Sequence, residues 1–244
     1  YRSPESDAQN HASGGGKVVG YLSNNIPTEL IPAGGLMPHR LCGNPSATTP
    51  AADQYMESFF SGQIRSIFDK ILSGQFDFLD LIVIPRTSEE SLQLFYYLEE
   101  IRRLEPDLPI PNTHLFDLLQ TPGEATAKYN LAQIEILKSR LEKIADTEIT
   151  DQMVTKAIKD ANENRSLLEQ ANNLRRQYPP LLNGQQMLEI IGSASLMPQS
   201  DHSALLTSLL TEVDALAPHE GACLMVKGQA HDNSRFYQLV ENLE

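Results

Sequence analysis

Tryptophan is absent from the 244 residues, and cysteine occurs only as Cys42 and Cys223. Two widely separated cysteines make no disulfide framework, and they cannot supply the four thiolates of a cysteine-only metal site. A reducing, cytoplasmic setting is the default for such a chain. Basic side chains are scarce as well: 19 Lys and Arg stand against 32 Asp and Glu, a formal net charge of −13. A surface of that sign repels phosphate backbones and anionic lipid, which argues against nucleic acid and membrane surfaces as partners. It leaves room for a local basic pocket around a small phosphate-bearing molecule. No apolar run approaches the ~18 residues of a membrane span, and no n-region followed by an h-region opens the chain. The run Gly14-Gly15-Gly16 precedes the first apolar stretch instead of following it, so it is not a phosphate-binding loop. The first residue is Tyr where Met would open a natural chain, so a cut or incompletely described N-terminus is expected. What is present is an ordinary globular balance, 41% apolar and 21% charged, long enough for one large or two small domains.

Residues 1–15, "YRSPESDAQNHASGG", are polar and lack periodicity, which predicts a disordered leader. Beyond it "KVVGYL" (17–22) predicts a strand, "PTELIPAGG" a short helix and "LMPHRLC" (36–42) a second strand. Helical spacing of Tyr55, Met56, Phe59, Phe60, Ile64, Ile67, Phe68 and Ile71 predicts helix over 53–73, interrupted at Ser61-Gly62. "LDLIVIP" (79–85) is the strongest buried-strand signal, a nearly continuous apolar run closed by proline. A helix over 88–104 begins at Ser88 with Glu89 and Glu90 in its first turn, and "PNTHLFDLL" (111–119) is the next strand. Apolar strands alternating with helices predict an α/β fold: a Rossmann-like parallel sheet over 16–122 with helices on both faces. Long helices at 123–145 and 151–177, the second capped by Thr150, open a helical bridging region over 123–217. "GACLMVKG" (221–228) predicts a strand and about 232–243 a helix, so 218–244 reads as the beginning of a second α/β domain. A lone strand–helix pair cannot bury its own faces, so this pair docks onto other material or the second domain is truncated.

Three separated stretches carry a resemblance. "KVVGYLSNNIPTELIPAGGLMPHRL", "ADQYMESFFSGQIRSIFDKILSGQFDFLDLIVIPRTSEES" and "EITDQMVTKAIKDANENRSLLEQANNLRRQYPPLLNGQQML" resemble, in order, the 2-hydroxyacyl-CoA dehydratase and benzoyl-CoA reductase family. The likeness covers roughly 17–244. It implies two Rossmann-like domains per subunit, a homologous second subunit, and a cleft between domains for a [4Fe-4S] cluster and a coenzyme A thioester. A separate ATP-hydrolysing activator would deliver a low-potential electron, for radical dehydration of a 2-hydroxyacyl-CoA or reduction of an aromatic acyl-CoA. The chain departs from the pattern at the cluster ligands. Where relatives have Cys-Pro-x-x-Arg-Ser, this sequence reads Ser61-Gly62-Gln63-Ile64-Arg65-Ser66. Where they have Pro-x-Thr-Cys-Asp, it reads Pro85-Arg86-Thr87-Ser88-Glu89. Serine is a hard ligand that gives up its proton at far greater cost than a thiol, so no metal ligand is assigned.

The resemblance places the turn Ser23-Asn24-Asn25, after the first strand, in the active cleft. Ser23, Asn24 and Glu29 are the candidates for catalysis, and Asn25, His39, Arg40 and Arg65 for substrate binding. Each has a plainer reading beside it. The turn residues suit any polar turn, and Glu29 suits a helix start. Arg40 suits an inter-element salt bridge, and Arg65 a helix junction. Ser61 and Ser88 equally suit helix caps, Cys42 is a packed small hydrophobe or a reactive thiol, and His114, His219 and Cys223 read as structural. Two expectations stand together: a subunit of a dehydratase or reductase acting on a CoA thioester, or a cluster-free acyl-CoA-binding or structural relative working with a cysteine-bearing partner. An isolated fragment without its own activity is a third.

Overall fold

The structure, a computed structural model, describes residues 5–228, 231 and 233–242. It divides into two compact units, Glu5–Ala157 and a second that begins at Ile158. No helix among the described residues is long and apolar enough to cross a membrane.

The first unit is built on β1 (Val18–Tyr21), β2 (Met37–Arg40), β3 (Leu81–Pro85) and β4 (Thr113–Phe116), all parallel, in the order β2-β1-β3-β4. Every residue of β1 and β3 is buried, as expected of strands covered on both faces. The period of two divides their side chains between two cores. Val18, Ile82 and Ile84 face one core, with α3 (Gly62–Leu72) and α4 (Glu89–Leu104) packed through Phe68, Ile71, Leu94 and Leu98. Val19, Tyr21, Leu81 and Val83 face the other, with α2 (Leu30–Ala33), α5 (Glu124–Ala145) and the start of α6 (Asp151–Arg176) packed through Ile31, Leu137, Leu141 and Ala157. Gly20 makes room in β1 for two side chains: a Cβ there would meet Leu79 Cδ1 at 2.6 Å and Leu41 Cδ1 at 2.7 Å and force them to shift. The chain leaves β1 towards β2, then crosses to the other side of β1 to lay down β3. The direction therefore reverses between β1 and β3, and sheets of this kind bind ligands at the carboxyl ends of the strands flanking such a reversal.

Several expectations change. Residues 5–13 of the predicted leader are ordered: α1 (Ser6–Ser13) buries Ala8 fully, and Glu5 bridges to Lys70 at 2.7 Å. Residues 1–4 lie outside the described residues. The helix predicted across 53–60 is a single 3-10 turn, Ala52–Gln54, followed by turns. α3 starts only after Ser61, where a Cβ on Gly62 would meet the carbonyl oxygen of Pro45 at 2.6 Å.

The regular structure of the second unit is helical among the described residues, with α6 from Ile158 onward, α7 (Gly184–Ser193), α8 (Gln199–Thr211) and α9 (Arg235–Glu241). The strand predicted at 221–228 does not form; these residues are exposed and irregular. No described strand lies there for it to pair with, so its backbone groups gain nothing from extension. Ala171, Leu182, Met187 and Leu206 make this unit's core. Beside them His202 is 2% exposed; its Nε2–H donates to the Ile190 carbonyl at 2.9 Å, and Nδ1 accepts from the Asn164 amide at 2.9 Å.

Candidate functional site

The turn after β1 runs outward from a buried base. Tyr21 and Leu22 are buried, Ser23 is half-buried, and Asn24 and Asn25 are exposed before Ile26 returns to the core. Ser23 holds φ at 60°, in the left-handed region, which costs a non-glycine residue roughly 1–2 kcal/mol. Glu29 follows, immediately ahead of α2, with no side-chain capping bond. At the matching level of β2, Arg40 pairs in register with Tyr21. Burial pushes the Tyr21 phenol up to about 12, and the neighbouring Arg40 pulls against that while Cys42 adds to it. The thiol of Cys42 donates weakly to the Arg40 carbonyl at 3.8 Å. Ser23, Asn24, Asn25 and Arg40 thus lie together at the carboxyl ends of β1 and β2.

Two candidates lie apart from this turn. His39 alternates to the face opposite Arg40, is 1% exposed, and packs edge-on against Phe78 with ring centroids 6.0 Å apart. Burial lowers its pKa, with Glu5 opposing that and Lys70 adding to it. It is a core residue, read as a binder because a strand end looks solvent-facing in sequence. Arg65 holds its own neighbourhood together. Its guanidinium donates to the carbonyls of Met56 at 2.8 Å and Glu57 at 2.7 Å, to Thr49 Oγ1, and to Asp53. Those bonds fasten the loop around 49–57, the helix-junction role that stood beside substrate binding.

Ser61 and Ser88 are helix caps. Ser61 Oγ accepts from Ile64 N–H at the start of α3. Ser88 Oγ accepts from Ser91 N–H at 3.1 Å, and Ser91 Oγ accepts from Ser88 N–H at 3.2 Å, a reciprocal box at the start of α4. The two positions are joined through Glu90, whose carboxylate accepts both the N–H and the O–H of Ser61 at 2.7 Å. In sequence Glu90 suits only a helix start; its reach across to α3 has no local signature. Also unassigned in the sequence are Arg86 and Asp117, at the carboxyl ends of β3 and β4, which pair at 3.3 Å with Tyr129 donating to the same carboxylate at 3.4 Å. The signal for Arg86 was its place directly after the most apolar strand.

A family model described as 2-hydroxyglutaryl-CoA dehydratase, D-component, matches residues 24–244. The chain belongs to this family. It is 22% identical over 234 residues to the (R)-phenyllactyl-CoA dehydratase beta subunit of Clostridium sporogenes, covering 93% of this chain and 60% of that one. A benzoyl-CoA reductase subunit of Thauera aromatica is 25% identical over 225 residues, covering 90% and 53%. The (R)-2-hydroxyglutaryl-CoA dehydratase subunit beta of Acidaminococcus fermentans is 22% identical over 213 residues, covering 87% and 55%. The chain thus spans between half and two thirds of the length of these relatives.

A D-component-like fold raises the question of the [4Fe-4S] cluster that the resemblance implies. The residues present do not fit one. Both positions where the resemblance implies a thiolate hold a hydroxyl engaged as a helix cap, and a carboxylate hydrogen-bonds to one of them. Among the described residues no group of three or more His, Cys, Asp or Glu is placed to hold a metal ion. Cys42 and Cys223 are the chain's only thiols. Cys42 lies beside Arg40 and Tyr21, at neither ligand position.

Proposed function

We propose that this chain is a CoA-thioester-binding subunit of a 2-hydroxyacyl-CoA dehydratase or benzoyl-CoA reductase type enzyme, and that it carries no cluster at Ser61 and Ser88. The observation that carries the second half is the hydrogen-bonding state of those serines, caps of α3 and α4 tied together by Glu90. The first half rests on the family and on the names of the relatives, which share a CoA thioester and differ in the acyl group. In this reading the thioester meets Ser23, Asn24, Asn25 and Arg40 in the interdomain cleft that the resemblance implies. Glu29 flanks the same turn, and a guanidinium such as that of Arg40 suits a phosphate or carboxylate bidentately. Electron transfer then belongs to a homologous cysteine-bearing partner subunit served by the ATP-hydrolysing activator.

The test has two arms. Iron and acid-labile sulfide are determined after anaerobic purification of the longest natural form, with an absorption spectrum before and after reconstitution. No bound iron is expected, whereas about four irons per chain with thiolate-to-iron absorption refutes the cluster-free reading. In the second arm, benzoyl-CoA and 2-hydroxyglutaryl-CoA are titrated into the protein by calorimetry. Binding weakened by Arg40→Met and Asn24→Ala supports the assignment. Binding of neither thioester, alone or with the partner subunit, sinks it.

A further inference from the structure

On the flank of β4, an edge strand two places from β1, His114 lines a groove of about 490 Å³. The size suits a small molecule. Its other lining residues all come from α5: Glu135, Ile136, Ser139, Arg140 and Lys143. The placement follows from the helix pattern. Leu137 and Leu141 go into the core beneath α5, which turns the groove-lining residues outward along the strand.

Three features mark the groove as more than a gap between helix and sheet. His114 is only 7% exposed, yet its Nε2 has no hydrogen-bond partner. A buried polar atom left in that state costs free energy unless something completes it. Arg140 and Lys143 have no ion-pair partner among the described residues. Their charges, set against Glu135, leave the groove one positive charge in excess. Burial first, and the nearby Arg140 second, lower the His114 pKa to about 4, so the ring is neutral near pH 7 and adds no charge. Half-exposed Ile136 and the methylene stems of Arg140 and Lys143 supply apolar wall.

We propose that this groove binds a small monocarboxylate with an apolar body, separate from the thioester site. The carboxylate meets the Arg140 fork and the Lys143 ammonium beside the His114 ring, and the body lies along Ile136. A monoanion matches the single excess positive charge. A phosphate dianion overshoots it and brings a second negative charge towards Glu135. The guanidinium fork suits the planar carboxylate bidentately.

The test is calorimetric titration of the full chain with hexanoate and, in a separate arm, with inorganic phosphate. The imidazole ¹⁵N resonances are followed in parallel, with His114 assigned by a His114→Gln variant. Expected results are saturable hexanoate binding, a shift at His114 Nε2, and weakening of about tenfold or more in Arg140→Met and in Lys143→Met. Neither substitution removes an ion pair seen in the fold, and circular dichroism checks that both variants stay folded. Three results overturn the assignment: no saturable hexanoate binding at millimolar ligand, phosphate binding more tightly than hexanoate, or hexanoate binding indifferent to both substitutions.

Discussion

Replacing Ser88 by alanine asks whether a serine at an implied cluster position earns its place as a helix cap. In the folded chain Ser88 Oγ takes the Ser91 N–H at 3.1 Å, and Ser91 is itself 4% exposed. Alanine removes the acceptor and leaves that N–H short of a partner. Loss of an N-cap hydroxyl costs about 1 kcal/mol, within a range of roughly 0.5–2. Ser61→Ala deletes a longer cap bond, 3.4 Å, together with the 2.7 Å bond to Glu90, so a loss of similar size, about 1 kcal/mol, is expected. Their sum is near 2 kcal/mol, or a fall in Tm of about 4–8 °C for a unit of this size. Because both helices pack in one core and are joined through Glu90, a departure from the sum of about 0.5 kcal/mol or more is expected. Aspartate caps as well as serine, so Ser88→Asp should stay within about 0.5 kcal/mol of the parent. Cysteine is a weak acceptor and should follow alanine. The assay is urea unfolding by far-ultraviolet circular dichroism, with the denaturant slope required to stay constant. If Ser88→Ala unfolds at the parental midpoint, or Ser88→Asp is as weak as Ser88→Ala, capping is not what Ser88 contributes.

Other perturbations probe the frame around the site. Arg65→Met should loosen the loop around 49–57 and cost about 2–4 kcal/mol through lost charge-assisted bonds; Arg65→Lys should recover only part, and limited proteolysis would locate the opening. Gly20→Ala drives a methyl into Leu79 and Leu41, for a loss of about 1–3 kcal/mol in urea unfolding. His39, His114 and His202 all have pKa values lowered mainly by burial. The unfolded chain therefore takes up their protons first, and stability falls as pH drops below about 6.5. For His114, whose folded value is about 4, the loss is complete near that pH and amounts to roughly 3 kcal/mol. His114→Gln should flatten the profile of urea midpoints between those limits, and an unchanged slope would exclude burial of the neutral ring as the cause.

Much of the sheet was legible because a strand covered on both faces must be apolar along its whole length, as Leu81–Pro85 is. Local caps were legible too: Ser88 and Thr150 hold the N–H groups expected of them. What escaped was whatever depended on a distant element. α1 looks like a polar leader because small residues, Ala8 and Ala12, make its contacts with the core. The stretch 221–228 looks like a strand because it is apolar, but a strand needs a neighbour, and none among the described residues supplies one. His39 and Arg40 are adjacent in sequence and face opposite cores, so only their surroundings separate a packing residue from a candidate binder. Arg65 and Glu90 have charges that sequence cannot pair, since their partners, Asp53 and Ser61, arrive from other segments.

Because Ser61 and Ser88 are caps, the fold and the cluster that the resemblance implies would ask different things of the same two positions. A helix N-terminus favours a thiolate through its unpaired N–H groups and its dipole. It also favours a serine hydroxyl, for hydrogen bonding alone. Exchanging cysteine for serine at such a position removes a metal ligand and supplies a better cap in the same step. A lineage can therefore shed this chemistry without passing through a poorly folded intermediate, and stability alone then holds the serines in place. Regaining the ligands runs uphill: each returning cysteine gives up a cap before any metal can bind, and Glu90 must release Ser61 as well.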